Sequence, residues 1–418
     1  MHTALVLLLA AVKAGAILAA AMTAGALLTL VERRLSAMIQ DRVGPNRADV
    51  TLAGRRFTMG GLLHPMADGV KMLFKEDFIP EGANRFIFVL APFVVMFFTL
   101  ATFSVIPFGD VLDLSAIGLG LVPLQIADLN VGLLFAMAVA SLAIYGTVLA
   151  GWSSNNKFSL LGGMRAASQL VAYEAVMGLC LVGAVMVFGT ASLKGIVDAQ
   201  AGTVLGFLPR WGVFVQPLAF LIFIVAAIAE SKRVPFDIPE GESEIIGYFI
   251  EYSGLKFAMF FLGEFIEVAL AAIMMTVVFF GGWHIPWVDP ANYGTAAPWV
   301  IGIAGLAGVF AGAVAAWGHG SRLMGAVIAL GGCGAVCAAG ALAFAPLPGW
   351  IAGCGVAAAQ VLVFVGKAAV LTWLQFMVRW TLPRFRFDQL LAIGWKKLVP
   401  WSLANIVLTG AVLLWVTS

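Results

Sequence analysis

Residues 257–283 read FAMFFLGEFIEVALAAIMMTVVFFGGW. A helix needs about 20 apolar residues to cross a bilayer, and this run is long enough. It also carries two carboxylates, Glu264 and Glu267, three residues apart and so on one helix face. Carboxylates at that depth are costly unless they are paired, protonated or wet. At about 4 Å and an effective dielectric near 20, two of them repel by roughly 4 kcal/mol, or about three pKa units. Such a pair is expected to hold protons at neutral pH and release them when a nearby charge changes. The run therefore reads as a membrane span that carries chemistry.

Outward from it, comparable apolar stretches recur at 4–30, 86–108, 130–150, 167–189, 213–229, 298–317, 323–345, 350–378 and 399–417. With 257–283 they make ten expected helices, of which 213–229 is the shortest. The first lacks a basic leader and is followed by Glu32-Arg33-Arg34, so it reads as a retained span rather than a signal peptide. Composition agrees. Across 418 residues, 62% are hydrophobic and 11% charged, against roughly 45–50% and 25% in a soluble domain. That excludes a soluble enzyme, a disordered chain and a nucleic-acid binder. Cys180, Cys333, Cys337 and Cys354 all lie inside apolar runs and form no paired CxxC motif. They read as packing residues, with no metal site expected.

Nearly all of the 24 Lys and Arg residues fall in the connections on one side of such a bundle. The other side has only Lys194 and Arg210, while Lys13 and Lys367 lie within helices. By the positive-inside rule the crowded side is cytoplasmic and both termini face out. The chemistry is expected in the long inner loops.

The first inner loop contains LLHPMADGVKMLFKED, residues 62–77, with apolar residues at helical spacing and Asp68, Lys71, Lys75 and Glu76 on the other face. It reads as an amphipathic helix lying in the interface, and a plain surface anchor fits that pattern as well. The second, GWSSNNKFSLLGGMRAASQ, leads into a helix that places Glu174 at membrane depth. Two readings fit Glu174: a neutral carboxyl hydrogen-bonded to a neighbour, or a station on a proton or ligand path. The third, residues 229–267, holds Glu230, Asp237, Glu240, Glu242, Glu244, Glu251, Glu264 and Glu267, over a third of the 22 acids. Pro235 and Pro239 break any helix there. That leaves irregular backbone, tolerated near lipid only when it is buried in protein or lines a cavity. A solvated acidic loop would suit Glu240 to Glu244 but not Glu264 and Glu267. The fourth, RWTLPRFRFDQLLAIGWKKLVP, supplies Arg379, Arg384 and Arg386 as possible counter-ions, or as an ordinary basic flank.

These segments resemble one family. ERRLSAMIQDRVGPNR, LLHPMADGVKMLFKEDFIP, GWSSNNKFSLLGGMRAASQ, AESKRVPFDIPEGESE, EYSGLKFAMFFLGE and LPRFRFDQLLAIGWKKLVP occur in the order found in the H subunit of respiratory NADH–quinone oxidoreductase (complex I), across nearly the whole chain. The resemblance implies an all-α polytopic membrane protein, a single integral membrane domain over 1–418, in the bacterial inner membrane. It implies a protein that forms the quinone-binding chamber and couples quinone reduction to proton translocation through buried acids. Quinone is then the substrate. The chain itself carries no redox centre, catalytic residue or metal. NAD, FMN and iron–sulfur clusters belong to partners, which are the hydrophilic quinone-module subunits, neighbouring membrane-arm subunits and lipid.

Carried over residue by residue, the resemblance implies quinone-chamber roles for Glu32, Arg33, Asp68, Arg233, Asp237, Glu240, Glu242, Glu244, Arg384 and Arg386. It implies a proton path through Glu76, Glu174, Glu230, Glu251, Glu264 and Glu267. Arg165, Tyr173, Lys367 and Asp388 match further family positions. Three departures stand out. The stretch 290–346, with Arg322 and His319, adds a helix pair to the family's usual eight and is expected to serve packing or partner contact. His64 stands where the family most often has Gln and is expected at the surface. The spacing from Glu244 to Glu251 is one residue shorter than usual. The competing class is the equivalent membrane protein of an energy-converting membrane-bound hydrogenase. A stand-alone secondary transporter would predict internal repeats, and the charged loops are not duplicated.

Overall fold

The computed structural model describes residues 2–52, 55–57, 59–114, 120–204, 206–241, 247–317, 322–344 and 349–417. Glu242, Glu244 and His319 lie outside the described residues. Helices dominate: α1 (His2–Ile39), α2 (Leu63–Phe74), α3 (Arg85–Thr102), α4 (Gly132–Ser153), α5 (Lys157–Phe188), α6 (Leu193–Ala199), α7 (Gly212–Val215), α8 (Pro217–Glu230), α9 (Gly254–Phe279), α10 (Tyr293–Trp317), α11 (Arg322–Phe344), α12 (Gly349–Thr381), α13 (Phe387–Leu391) and α14 (Val399–Thr417). A π-helical stretch, Ala392–Leu398, joins the last two. Three small antiparallel hairpins complete the described structure: β1 (Val50–Leu52) with β2 (Arg55–Phe57), β3 (Val111–Leu114) with β4 (Gly120–Pro123), and β5 (Thr203–Val204) with β6 (Leu208–Pro209).

Among the described residues, nine helices are long and apolar enough to cross a membrane. The tenth expected span is α8, which has only 14 residues, about 21 Å at 1.5 Å per residue against a hydrocarbon core of about 30 Å. It is short for local reasons. Gln216 sits outside the helical region at φ −133°, ψ 58°, and Pro217 opens the helix as its first residue. At the other end the Pro235 and Pro239 segment begins. Other boundaries also shift. α1 continues past residue 30 to Ile39, so Glu32 and Arg33 lie inside it. α5 starts at Lys157 rather than 167, because Asn156 Oδ1 accepts from the Phe158 amide and caps it early. The amphipathic segment forms α2 with no buried residues, and Met66, Val70, Leu73 and Phe74 stay exposed, as an interfacial helix requires.

α9 lies at the centre. It packs on α1, α3 and α12, while α5 packs on α4, α8 and α14. The largest buried cluster runs through α5, α8 and α9, including Val176, Phe223, Ile266 and Phe279. Polar clasps set the helix ends. Gln216 Nε2 donates to Thr409 Oγ1 at 2.8 Å and Asn405 Nδ2 donates to Gln216 Oε1 at 2.9 Å, tying α14 to the α7–α8 break. Lys367 Nζ donates to the carbonyls of Phe280, Gly282 and His284 at 2.7, 3.0 and 2.8 Å, capping the end of α9. Lys367 thus serves the end of α9 farthest from the acid-rich loop.

The helices α10 and α11 pack backbone to backbone. A Cβ on Gly332 would lie 2.5 Å from the Gly305 carbonyl, and small residues at such a contact are what bring membrane helices together. α10 rests on α12 through Ala297, Ile301 and Ala359. Trp299, Ile303, Leu306 and Phe310 face outward. His64, half-buried, accepts from the Ala48 amide at Nε2 and bonds the Gly61 carbonyl at Nδ1, so it closes its own loop.

Close approach also fixes α5 against the acid-rich loop. A Cβ on Gly162 would lie 2.7 Å from the Tyr248 amide nitrogen, whereas Gly178 on the same helix has nothing within 4 Å. Gly162→Ala should therefore destabilise the purified chain by about 1–3 kcal/mol through overpacking. Gly178→Ala should be neutral or stabilising. Thermal unfolding in mild detergent distinguishes the two.

Candidate functional site

Residues 231–241 and 247–253 are irregular backbone and largely buried, with Lys232, Phe236, Ile238, Tyr248 and Tyr252 all under 9% exposed. The expectation for non-helical backbone near lipid is met by protein burial. Gln169 of α5 holds its start, donating Nε2 to the carbonyls of Ala229 (2.7 Å) and Phe236 (2.8 Å). The Phe385 amide donates to the Pro235 carbonyl at 3.0 Å and ties it to the last loop. Tyr173 donates to the Leu390 carbonyl at 3.0 Å, and Arg165 lies over the Phe387 ring. The two family-matched residues of α5 therefore brace that last loop.

A cavity of about 290 Å³ opens where this segment meets α1, α9 and α12. Its lining includes the aromatic residues Phe249, Phe257, Phe261, Phe265 and Trp380. It also includes the charged residues Glu32, Arg33, Arg233, Glu240, Glu264 and Arg379. Glu32 is the knot. Its Oε2 accepts from Arg233 Nη1 at 2.9 Å and its Oε1 pairs with Arg379. Arg233 also lies over the Phe265 ring, 4.1 Å from its centroid. Among the described residues its Nε and Nη2 are buried with no acceptor, and Glu240 Oε1 and Trp380 Nε1 are likewise unpartnered. Buried donors and acceptors are rarely left so, and all three residues belong to the cavity lining.

Arg384 Nη2 donates to Asp237 Oδ2 at 2.6 Å beside the cavity. Burial pushes the Asp237 carboxyl up to about 6, against the opposing pull of Arg384. Glu240 and Glu264 share a hydrogen bond. Burial, then the charge of Glu264, holds Glu240 well above the usual carboxylate range. Tyr248 donates to Glu264 Oε1 at 3.0 Å.

Glu267 has a different partner. Its Oε2 pairs with Lys232 Nζ at 3.0 Å. The proton-sharing pair expected between Glu264 and Glu267 is thus replaced by one between Glu264 and Glu240, because Lys232 claims Glu267. Glu230, Lys232 and Glu267 line a second cavity of about 60 Å³. Glu230 lies within electrostatic reach of Glu267 and Glu174, and Glu174 is hydrogen-bonded to Ser141 of α4. The acids form a series: Glu240–Glu264, Glu267, Glu230, Glu174.

Arg33, at the cavity's edge, pairs with Asp68 at 2.6 Å on a half-exposed surface, linking α1 to α2. Other expected residues lie apart. Glu76 is exposed. Glu251 accepts from Asn156 Nδ2 at 2.6 Å, away from Glu264. Arg386 pairs with Asp388 at the surface, bonding within its own loop rather than reaching the acids. Sequence reasoning did not single out Lys232, Tyr248 or Trp380. Lys232 carried a signal, a cation beside Glu230 in AESKR, that read as an ordinary basic flank.

The fold and site together define a multi-pass helical membrane protein with a cavity lined by aromatic and charged side chains. A family model described as NADH dehydrogenase matches residues 12–410. The chain is 38% identical to an NADH-quinone oxidoreductase H subunit of Solibacter usitatus, covering 97% of each. It is 39% identical to an H subunit of the same enzyme from Geobacter metallireducens, over 94% of this chain and 93% of the relative. It is 38% identical to the one from Flavobacterium johnsoniae, over 92% and 89%. The chain belongs to the family of NADH–quinone oxidoreductase H subunits, membrane components of complex I.

Because its pKa in the fold exceeds that of an exposed carboxyl, Asp237 binds its proton more tightly folded than unfolded. Its contribution should therefore make the fold less stable as pH rises from about 4 to about 6, and constant above that. Asp237→Asn should remove that component. Unfolding midpoints of both chains in detergent between pH 4 and 7 test this, and parallel curves would count against it.

Proposed function

We propose that the cavity holds the quinone headgroup and that the buried acid series couples its reduction to proton translocation. The observation that carries this reading is the composition of the cavity. Aromatic side chains suit a flat ring and its isoprenoid tail. The unpartnered N–H groups of Arg233 and Trp380 suit its carbonyl oxygens. α2, with its exposed apolar face and its Arg33–Asp68 tie to α1, fits the position of a lipid-side entrance.

Quinone takes two electrons and two protons to become quinol. The electrons arrive from a partner that carries the iron–sulfur, flavin and NADH chemistry. Arg233 and Arg379 are preorganised cations beside the oxygens that gain charge, and stabilisation of this kind costs no reorganisation at the moment of reaction. The hydrogen-bonded Glu240–Glu264 pair stands next to them as proton donor. Losing a proton there changes the charge felt by Glu267, Glu230 and Glu174, a local electrostatic event with a distant readout. Glu242 and Glu244 belong to the same segment and are read as part of the chamber. We also read the chain as an inner-membrane protein with both termini outside. The residues 290–346 are read as an inserted packing pair within one membrane domain. Partners would be the hydrophilic quinone-module subunits on the basic side and membrane-arm neighbours laterally.

Three variants test the reading in the assembled enzyme. Glu264→Gln keeps an acceptor for Tyr248 and should leave assembly intact, yet at least halve both turnover and protons moved per electron. Phe261→Trp narrows the cavity and should raise the quinone KM about tenfold, or about 1.4 kcal/mol. Normal pumping in Glu264→Gln and also in Glu174→Gln contradicts the acid path, and an unchanged KM in Phe261→Trp contradicts the chamber.

A further inference from the structure

The acid series is not uniform, because a cation is built into its middle. Lys232 is 2% exposed and its ammonium lies 3.0 Å from Glu267. Its other charged neighbours are Glu264 of α9 and Glu240 of its own segment, and Glu230 at the end of α8 lies within its field. Lys232 holds its position at φ 55°, in the left-handed region where a side chain is strained. A backbone kept there needs the surrounding structure to fix it. The acids outweigh the cost of burial, so the amine stays charged.

One fixed cation among four buried carboxyls decides which of them ionises. Like charges this close cannot all be ionised together. The carboxyl that touches the ammonium is Glu267, at 3.0 Å. Glu240 and Glu264 are left sharing a proton on the cavity side, and Glu230 stands on the other. We infer that Lys232 is an electrostatic valve between the chamber acids and the membrane acids, a positioning residue that acts through Glu267. A proton leaving Glu264 raises the negative charge on the chamber side and draws the ammonium toward it. The proton that leaves Glu264 goes to the quinone; Glu267, having lost part of its counter-ion, takes a separate proton delivered through water in the cavity it lines with Glu230 and Lys232. When the chamber pair is reprotonated, Lys232 returns to Glu267 and the proton is passed toward Glu230 rather than back.

This inference rests on the acid-path reading above, and the experiment separates the two. Lys232→Met and Lys232→Gln remove the charge with little change in bulk, and Lys232→Arg retains it. Lys232 does not line the proposed quinone cavity. In the assembled enzyme in inverted membrane vesicles, both neutral variants should keep the quinone KM within about twofold but lose at least half of the protons moved per electron. Lys232→Arg should restore most of that ratio. Infrared difference spectra of the neutral variants should show a new protonated carboxyl, absent when Glu267→Gln is added. The valve is overturned by neutral variants that pump with the parent ratio, by a raised KM at an unchanged ratio, or by the absence of the new carboxyl band. If Glu264→Gln also pumps normally, the acid path itself fails. If only the Lys232 variants do, the valve fails alone. Should one neutral variant fail to assemble, the other and the infrared signature decide.

Discussion

Glu32 binds two guanidinium groups from distant parts of the chain, Arg233 after α8 and Arg379 near the end of α12. That double ion pair is the constraint on which the loop-side architecture depends. It sets the height of α1 against α12 and pulls the first residues of the irregular segment between them. It also lays Arg233 over Phe265 of the central helix. Breaking a buried pair of this kind leaves an uncompensated charge, typically a loss of about 3–5 kcal/mol. The arrangement therefore holds together what apolar packing alone would let slide, since helices in lipid gain little from the hydrophobic effect between themselves.

Two consequences follow from where the knot lies. Arg233 has spent one N–H on Glu32 and holds two more nitrogens that find no acceptor among the described residues, so the knot places a guanidinium with spare N–H groups at the cavity. The knot also leaves the acids of α9 to find other partners, and they divide. Glu264 turns to Tyr248 and Glu240, and Glu267 turns to Lys232. Two carboxylates one turn apart on the same helix thus belong to two different electrostatic neighbourhoods.

Much of this was legible in the sequence, for reasons that differ by residue. The long apolar runs decide the spans because nothing else satisfies a backbone in lipid. The amphipathic helix follows from period, and the acid-rich loop from its prolines. Partner choice was not legible. Glu32 and Arg33 are adjacent, yet about 100° of helix rotation gives one to the buried Arg233 and the other to the half-exposed Asp68. Glu264 and Glu267 looked like a pair because spacing shows only their own helix, and Lys232 arrives from another element. Arg386 looked like a counter-ion for the acids, but it pairs with its own loop neighbour, Asp388. The break at Gln216 was hidden because α7 and α8 are both apolar.

The claim on which the functional reading turns is that a quinone headgroup sits between the cavity's aromatic side chains and Arg233. The most direct measurement is photolabelling of the assembled enzyme in its native membrane with a diazirine-bearing quinone, followed by mapping of the modified peptides. The account requires label on the peptides containing Phe249 to Phe265 and Trp380, displaced by excess unlabelled quinone. Label confined to lipid-facing positions such as Trp299 or Phe310, or label that unmodified quinone does not displace, would contradict it.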